Sequence, residues 1–151
     1  MSAPREPSLT DSEDAFLQAM GRAVVYISRV FEADFGAEHG MTMSEFSVLM
    51  PLSEAPAGRL RMGALAAATG LTSGRVTQVV QRLEARGLVE RQPCATDRRG
   101  SDAVLTDAGL ARLELTRPKR LASARRRVFD KLDGLDLDAC TDVLTRICAD
   151  R

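Results

Sequence analysis

Apolar residues recur at helical spacing from Phe16 through Met20, Val24, Ile27 and Phe31 to Phe35, which predicts one long amphipathic helix near the start of the chain. The run Thr10-Asp11-Ser12-Glu13 opens it as a capping box, in which Thr10 and Glu13 each bond the other's backbone amide. Gly36 and Gly40 are expected to break it. A second box at Thr42 and Glu45 predicts a shorter helix through Phe46, Leu49 and Met50, ended by Pro51 and the Pro56-Ala57-Gly58 turn. Residues 62–69 form an Ala-rich short helix, Gly70-Leu71-Thr72-Ser73 a tight turn, and residues 73–86 a helix stopped by Gly87. Leu65, Ala66, Leu71, Val76, Val79 and Leu83 fall where two such helices must touch, with Ala66 small enough for close approach and Gly70 free to adopt a positive φ.

The pattern then changes. Leu88-Val89-Glu90-Arg91 and residues 101–105 read as two short strands joined by a charged, turn-rich loop over residues 93–100, a β-hairpin with a basic tip. Thr106 and Asp107 cap a helix carrying Leu110, Leu113, Leu121, Val128 and Leu132, with a kink expected at Pro118 and an end at Gly134. A last helix, capped near Asp136, places Leu137, Cys140, Leu144 and Ile147 on one face, widened by Val143 and Cys148. The fold class is therefore mainly α with a small β-hairpin wing. Amphipathic helices at both ends have no obvious place on so small a centre and are expected to bury each other across a homodimer.

Charge sharpens this picture. The chain is neutral overall, yet residues 1–60 hold four arginines against nine acids, whereas residues 61–101 hold seven against three. A basic middle in a neutral chain is the local footprint of an element that meets a polyanion. A single His, no metal-ligand spacing, no phosphate-cradling Gly loop and no GxSxG argue against an enzyme, a metal site or a cofactor. The polar, acidic start and the three widely spaced cysteines fit a cytoplasmic protein without a disulfide framework.

The helix-turn-helix LAAATGLTSGRVTQVVQRLE, the following GLVER, the DRRG tip and the VLTDAG that re-enters a helix, in this order and spacing, resemble the multiple-antibiotic-resistance regulator (MarR) family over about residues 10–150. The resemblance implies a winged helix-turn-helix transcriptional regulator: a disordered tail over residues 1–9, dimerising helices over 10–40 and 107–151, and a DNA-binding lobe over 42–106. Its expected partner is a pseudo-palindromic double-stranded operator, and its expected role is repression of nearby genes.

A helix beginning at Ser73 can enter a major groove, which makes Thr72, Ser73, Arg75, Thr77, Gln78 and Arg82 the candidate contacts. Arg75 suits guanine and Gln78 adenine, each good bidentate pair discriminating by ~1–3 kcal/mol, while Ser73 and Thr77 suit phosphates. On the wing, Arg98 and Arg99 suit a narrow minor groove, with Asp97 orienting Arg99 by an ion pair, as the resemblance also implies.

Members of this family commonly respond to small phenolic or aromatic acids held between the dimerising helices and the DNA-binding lobe. Arg22, Tyr26 and Arg29 share one face of the first helix, and His39 ends that region; these are the candidate effector residues. The family's N-terminal cysteine sensor has no counterpart here, because no cysteine precedes Cys94. A thiol response through Cys94, beside Arg91, Arg98 and Arg99, is one alternative, and a winged-helix module that binds protein is another. Cys140 and Cys148 read as small hydrophobes of the last helix.

Overall fold

A computed structural model describes residues 8–94 and 97–149, with the side chains of residues 35–39 and 97–99 outside the description. The first helix, α1 (Asp11–His39), opens on the expected capping box and runs through Gly36; only Gly40 takes the left-handed conformation that ends it. Gly36 lowers helix propensity but does not forbid helical φ, so the break expected there does not occur. Helix α2 (Met43–Glu54) starts on the second box and carries Pro51 inside it. Proline removes its own N–H but keeps a helical φ, and the chain therefore continues for three residues beyond the expected stop.

After a turn over Pro56–Gly58 comes a strand that periodicity did not reveal, β1 (Arg59–Arg61). Helices α3 (Met62–Thr69) and α4 (Ser73–Ala85) follow, with Gly70 at φ +67 between them. Strands β2 (Val89–Cys94) and β3 (Asp97–Leu105) reach further into the hairpin than expected, and β1 joins them in the antiparallel order β1-β3-β2. Arg59 pairs with Val104 and Val89 with Leu105, so β3 is central and the wing has three strands at its base.

Helix α5 (Asp107–Arg127) passes through Pro118 and ends earlier than expected, because Val128 leaves helical geometry at φ −123. Gly134 instead closes the turn before α6 (Leu137–Ile147). Asp136 caps α6, accepting from the Asp138 and Ala139 amides at 3.0 Å.

The core gathers Phe46, Val48, Leu49 and Leu52 of α2, Leu65 of α3, and Val76, Val79, Val80 and Leu83 of α4 against Val89, Ala103 and Leu113. Burying the Val, Leu and Phe side chains contributes ~1.5–3 kcal/mol each and sets how α4 lies on the domain. On α1, only Val30 and Phe31 are buried among the described side chains, whereas Phe16, Val24 and Ile27 of the predicted stripe stay exposed. No residue of α6 is buried.

Asp34 ties α1 to α5. Its carboxylate accepts from Arg127 Nη2 at 2.9 Å and Nε at 3.1 Å, from Ser123 Oγ, and from Arg126 Nη2 at 3.3 Å. The Arg127 bonds first, then the Ser123 bond, hold its pKa well below the usual carboxylate range. A depressed folded pKa contributes stability that is present in full above the unfolded value of about 3.9 and is lost progressively as pH falls from there through the depressed folded value. Asp34→Asn is expected to cost about 1 kcal/mol near neutrality, since solvent screens the exposed arginines. Thermal melts from pH 6 to pH 2 check this, because the gap between wild type and variant should hold above about pH 4 and narrow steadily below it. A gap that does not narrow between about pH 4 and pH 2 assigns the loss to something other than the charge.

Candidate nucleic-acid interface

Thr72 caps α4, its hydroxyl accepting from the Arg75 amide at 3.3 Å. With Val76, Val79, Val80 and Leu83 turned inward, the helix period sends Ser73, Arg75, Gln78 and Arg82 outward, and all four are exposed. Thr77 is half-buried and its hydroxyl donates to the Ser73 carbonyl at 2.9 Å, so its donor is used within the helix. Arg75 reaches back across the surface, with Nη2 donating to Ser44 Oγ at 3.3 Å. Gln81 stands beside Gln78, Arg82 and Ala85 along a shallow groove on the outer face. It is a further amide outside the candidate set, although its i+3 spacing from Gln78 was readable.

The wing stands beside this helix. Its tip residues Asp97, Arg98 and Arg99 lie in β3, with side chains outside the described residues. The base is held by Arg59, whose Nη1 donates to buried Asp102 Oδ2 at 3.2 Å while Nη2 donates to Gln92 Oε1. One guanidinium thus spans all three strands, a pairing of residues 43 apart that no local motif announces. On the neighbouring edge, Arg91 Nε pairs with Glu84 at 3.0 Å and fastens β2 to the end of α4. Cys94 is buried at the end of β2, away from the solvent access that a reactive thiol needs. Cys140 and Cys148 are exposed in the single chain.

The candidate effector residues sit on α1. Arg22 and Arg29 are exposed, and the side chain of His39 is outside the described residues. Tyr26 is engaged by the turn that follows α5: Lys131 Nζ donates to its hydroxyl at 3.1 Å and lies 4.9 Å from the ring centroid, with Arg29 at 6.0 Å. The Lys131 hydrogen bond and charge lower the phenol's pKa.

Helix α5 carries a different kind of cation. Arg120 is half-buried with its guanidinium 4.1 Å from the centroid of buried Phe46, and its Nε is buried without a hydrogen-bond partner among the described residues. Desolvation alone lowers its pKa. Among the described residues no cluster of three or more His, Cys, Asp or Glu is arranged to hold a metal, and no helix is long and apolar enough to cross a membrane.

A helix-turn-helix with an outward polar face on its second helix, flanked by a three-stranded wing, defines a winged helix DNA-binding protein. Residues 39–100 match the model of the MarR family. The chain is 30% identical over 110 residues to the HTH-type transcriptional regulator MhqR of Bacillus subtilis, spanning 73% of this chain and 74% of that one. Two solved structures from Streptomyces coelicolor superpose along nearly its whole length. AbsC, a MarR family transcriptional regulator, is 34% identical with a TM-score of 0.85, covering 95% of this chain and 96% of its own. Sco3205, of the same family and solved in complex with DNA, is 32% identical with a TM-score of 0.84, covering 94% and 92%. The chain belongs to the MarR family and is a DNA-binding transcriptional regulator.

Proposed function

We propose that the protein is a homodimeric repressor that occupies a pseudo-palindromic operator and leaves it when a small aromatic acid binds. The observation that carries this reading is the outer face of α4, where Ser73, Arg75, Gln78 and Arg82 project above a buried aliphatic face beside a basic wing. Arg75 and Gln78 read base edges, Thr72, Ser73 and Arg82 hold phosphates, Thr77 joins them by turning its hydroxyl away from the Ser73 carbonyl, and Arg98 and Arg99 enter the minor groove with Asp97 orienting Arg99.

Dimerisation follows from what the single chain leaves uncovered. Phe16, Leu17, Val24 and Val25 of α1, and Leu137, Val143, Leu144 and Ile147 of α6, are all exposed. An 11-residue helix with no buried residue does not hold itself together in water, so α6 needs a surface to cover its apolar face. A second copy, offering the same stripes through a two-fold axis, meets that need. Sedimentation is expected to give twice the 16.4 kDa chain mass, and Val143→Glu with Ile147→Glu should yield monomers that lose about 100-fold in operator affinity, because each half-site then binds alone. A double variant that stays dimeric refutes this assignment of the interface.

For the effector, Arg22, Tyr26, Arg29 and His39 remain the α1 candidates, and Arg120 supplies a further cation from α5. A desolvated guanidinium lying on an aromatic ring suits the carboxylate of a flat acid. Fluorescence anisotropy against the DNA flanking the protein's own gene and a scrambled duplex, at two salt concentrations and with a panel of aromatic carboxylates, tests the whole reading. Salt-sensitive preference for the native duplex, relieved by one acid, is the expected result. Equal weak binding to both duplexes overturns it in favour of a module that binds protein.

A further inference from the structure

Arg86 closes the C-terminal end of α4 and belongs to none of the sets that the sequence pattern selects. Its Nη1 donates to Glu45 Oε2 at 3.2 Å and its Nη2 to the Gly40 carbonyl at 2.8 Å. Glu45 is buried, and the same Oε2 accepts from the Thr42 amide at 2.9 Å, so one carboxylate oxygen both caps α2 and holds Arg86. Gly40 is the left-handed end of α1. Three helix ends therefore meet at one guanidinium: the C-cap of α1, the first turn of α2 and the end of the recognition helix. At the other end of α4, Arg75 donates to Ser44, the neighbour of Glu45. Arg75 and Arg86 are about 16 Å apart along the helix, so a single turn of α2 grips α4 from both ends.

We propose that Arg86 is a positioning residue for operator recognition, fixing the angle of α4 to α1 and hence the separation of the two recognition helices in the dimer. The proposal rests on the dimeric reading above. Aliphatic packing through Val76, Val79, Val80 and Leu83 holds α4 down but is not directional, and such packing tolerates small rolls of a helix. Paired charge-assisted hydrogen bonds to two fixed acceptors are directional. Arg75 has to leave Ser44 to reach a base, whereas Arg86, on the far end, still holds when DNA is engaged. Because its acceptors belong to α1 and α2 together, any shift of α1 against its partner is delivered to α4 at this point.

The test uses the full-length protein and an operator enriched from a random duplex pool by the wild type. Affinity is measured on that operator, on versions with one or two base pairs inserted or removed between half-sites, and on a single half-site. One base pair displaces the half-sites by about 3.4 Å along the axis and about a tenth of a turn, so wild-type binding should fall steeply with either change. Arg86→Met is expected to lose about tenfold on the enriched spacing, the scale of one charge-assisted hydrogen bond, while its spacing profile flattens and its half-site affinity stays within about twofold. Arg86→Lys should lie between the two. Glu45→Gln keeps an oxygen that accepts from Thr42 but removes the charge that strengthens the Arg86 bond, so it should flatten the profile in the same direction by a smaller amount, and it keeps the test open should Arg86→Met fail to fold. Spacing profiles of unchanged shape in these variants overturn the proposal, as does an equal loss on full site and half-site with a lowered melting temperature, which marks a folding role. Failure of the wild type to enrich any duplex overturns instead the reading on which the proposal stands, and the proposal with it.

Discussion

Replacing Arg75, Arg98 and Arg99 together by alanine should lower affinity for the operator by about 100-fold or more, since a base-reading arginine contributes ~1–3 kcal/mol and each guanidinium that neutralises phosphate adds a salt-dependent term. The three changes separate by their signatures. Arg75→Ala should relax base preference at one position of each half-site. The wing pair should weaken binding to all sequences and reduce the slope of log affinity against log salt by about 0.9 for each phosphate no longer neutralised. Folding should be spared, because Arg75 is exposed and its side-chain hydrogen bond in the free protein is the long one to Ser44 at 3.3 Å. Surface changes of that kind stay within about 0.5 kcal/mol. Anisotropy titrations at three salt concentrations, alongside thermal melts, check both halves. Retained sequence-specific binding by the triple variant would falsify the assignment of the recognition surface.

The largest stability effect is expected at Gly109. This residue stands in the first turn of α5, where its amide donates to the Thr106 cap at 3.0 Å. An added Cβ would lie 2.0 Å from the Leu88 carbonyl oxygen and 2.7 Å from Leu105 Cδ1. The Leu88 carbonyl is itself committed, accepting from the Thr106 amide at 3.2 Å, so the backbone cannot withdraw without losing that bond. Overpacking typically costs about 1–3 kcal/mol, and a clash with backbone belongs at or above the upper end, so Gly109→Ala should destabilise the protein by about 3 kcal/mol or more. For a chain of this size the melting temperature should drop by roughly 6–12 °C. A melt within about 2 °C of wild type, less than 1 kcal/mol on that scale, would show that α5 shifts freely away from β2 and that the junction is not rigid. Operator binding by the folded fraction should fall as well, because Gly109 sits where the wing hands over to α5.

Much of the architecture was legible because its signals are local. The caps at Thr10, Thr42, Thr106 and Asp136 are each realised, since every one is a side-chain bond to an amide two or three residues away, and the structure adds one at Thr72 that the pattern had placed in the turn. The inward face of α4 was readable from period alone, and with it the outward face that carries the candidate DNA-binding residues. Periodicity misled where a residue type permits two outcomes. Gly36 and Pro51 read as stops and prove to be helical, because neither forbids helical φ and the surrounding stripe continues. The α1 and α6 stripes were read correctly as apolar, yet the single chain covers little of them.

The amino-acid sequence by itself determined the helices, their caps, the helix-turn-helix and the basic middle, all of which depend on neighbours within a turn or two. Tertiary structure decided what rests on residues distant along the chain. Strand β1 exists because Arg59 to Arg61 find a partner in β3, and Arg59 then clamps Asp102. The recognition helix is tied down by Arg86 on Glu45, 41 residues away, and α1 is fastened to α5 by Asp34 on Arg127, 93 residues away. Gly109 has no room for a side chain because Leu88 arrives against it from another part of the chain. Chain composition and spacing cannot announce such pairings, since a hydrogen bond or a clash is set by distances of about 3 Å that exist only once the elements have packed.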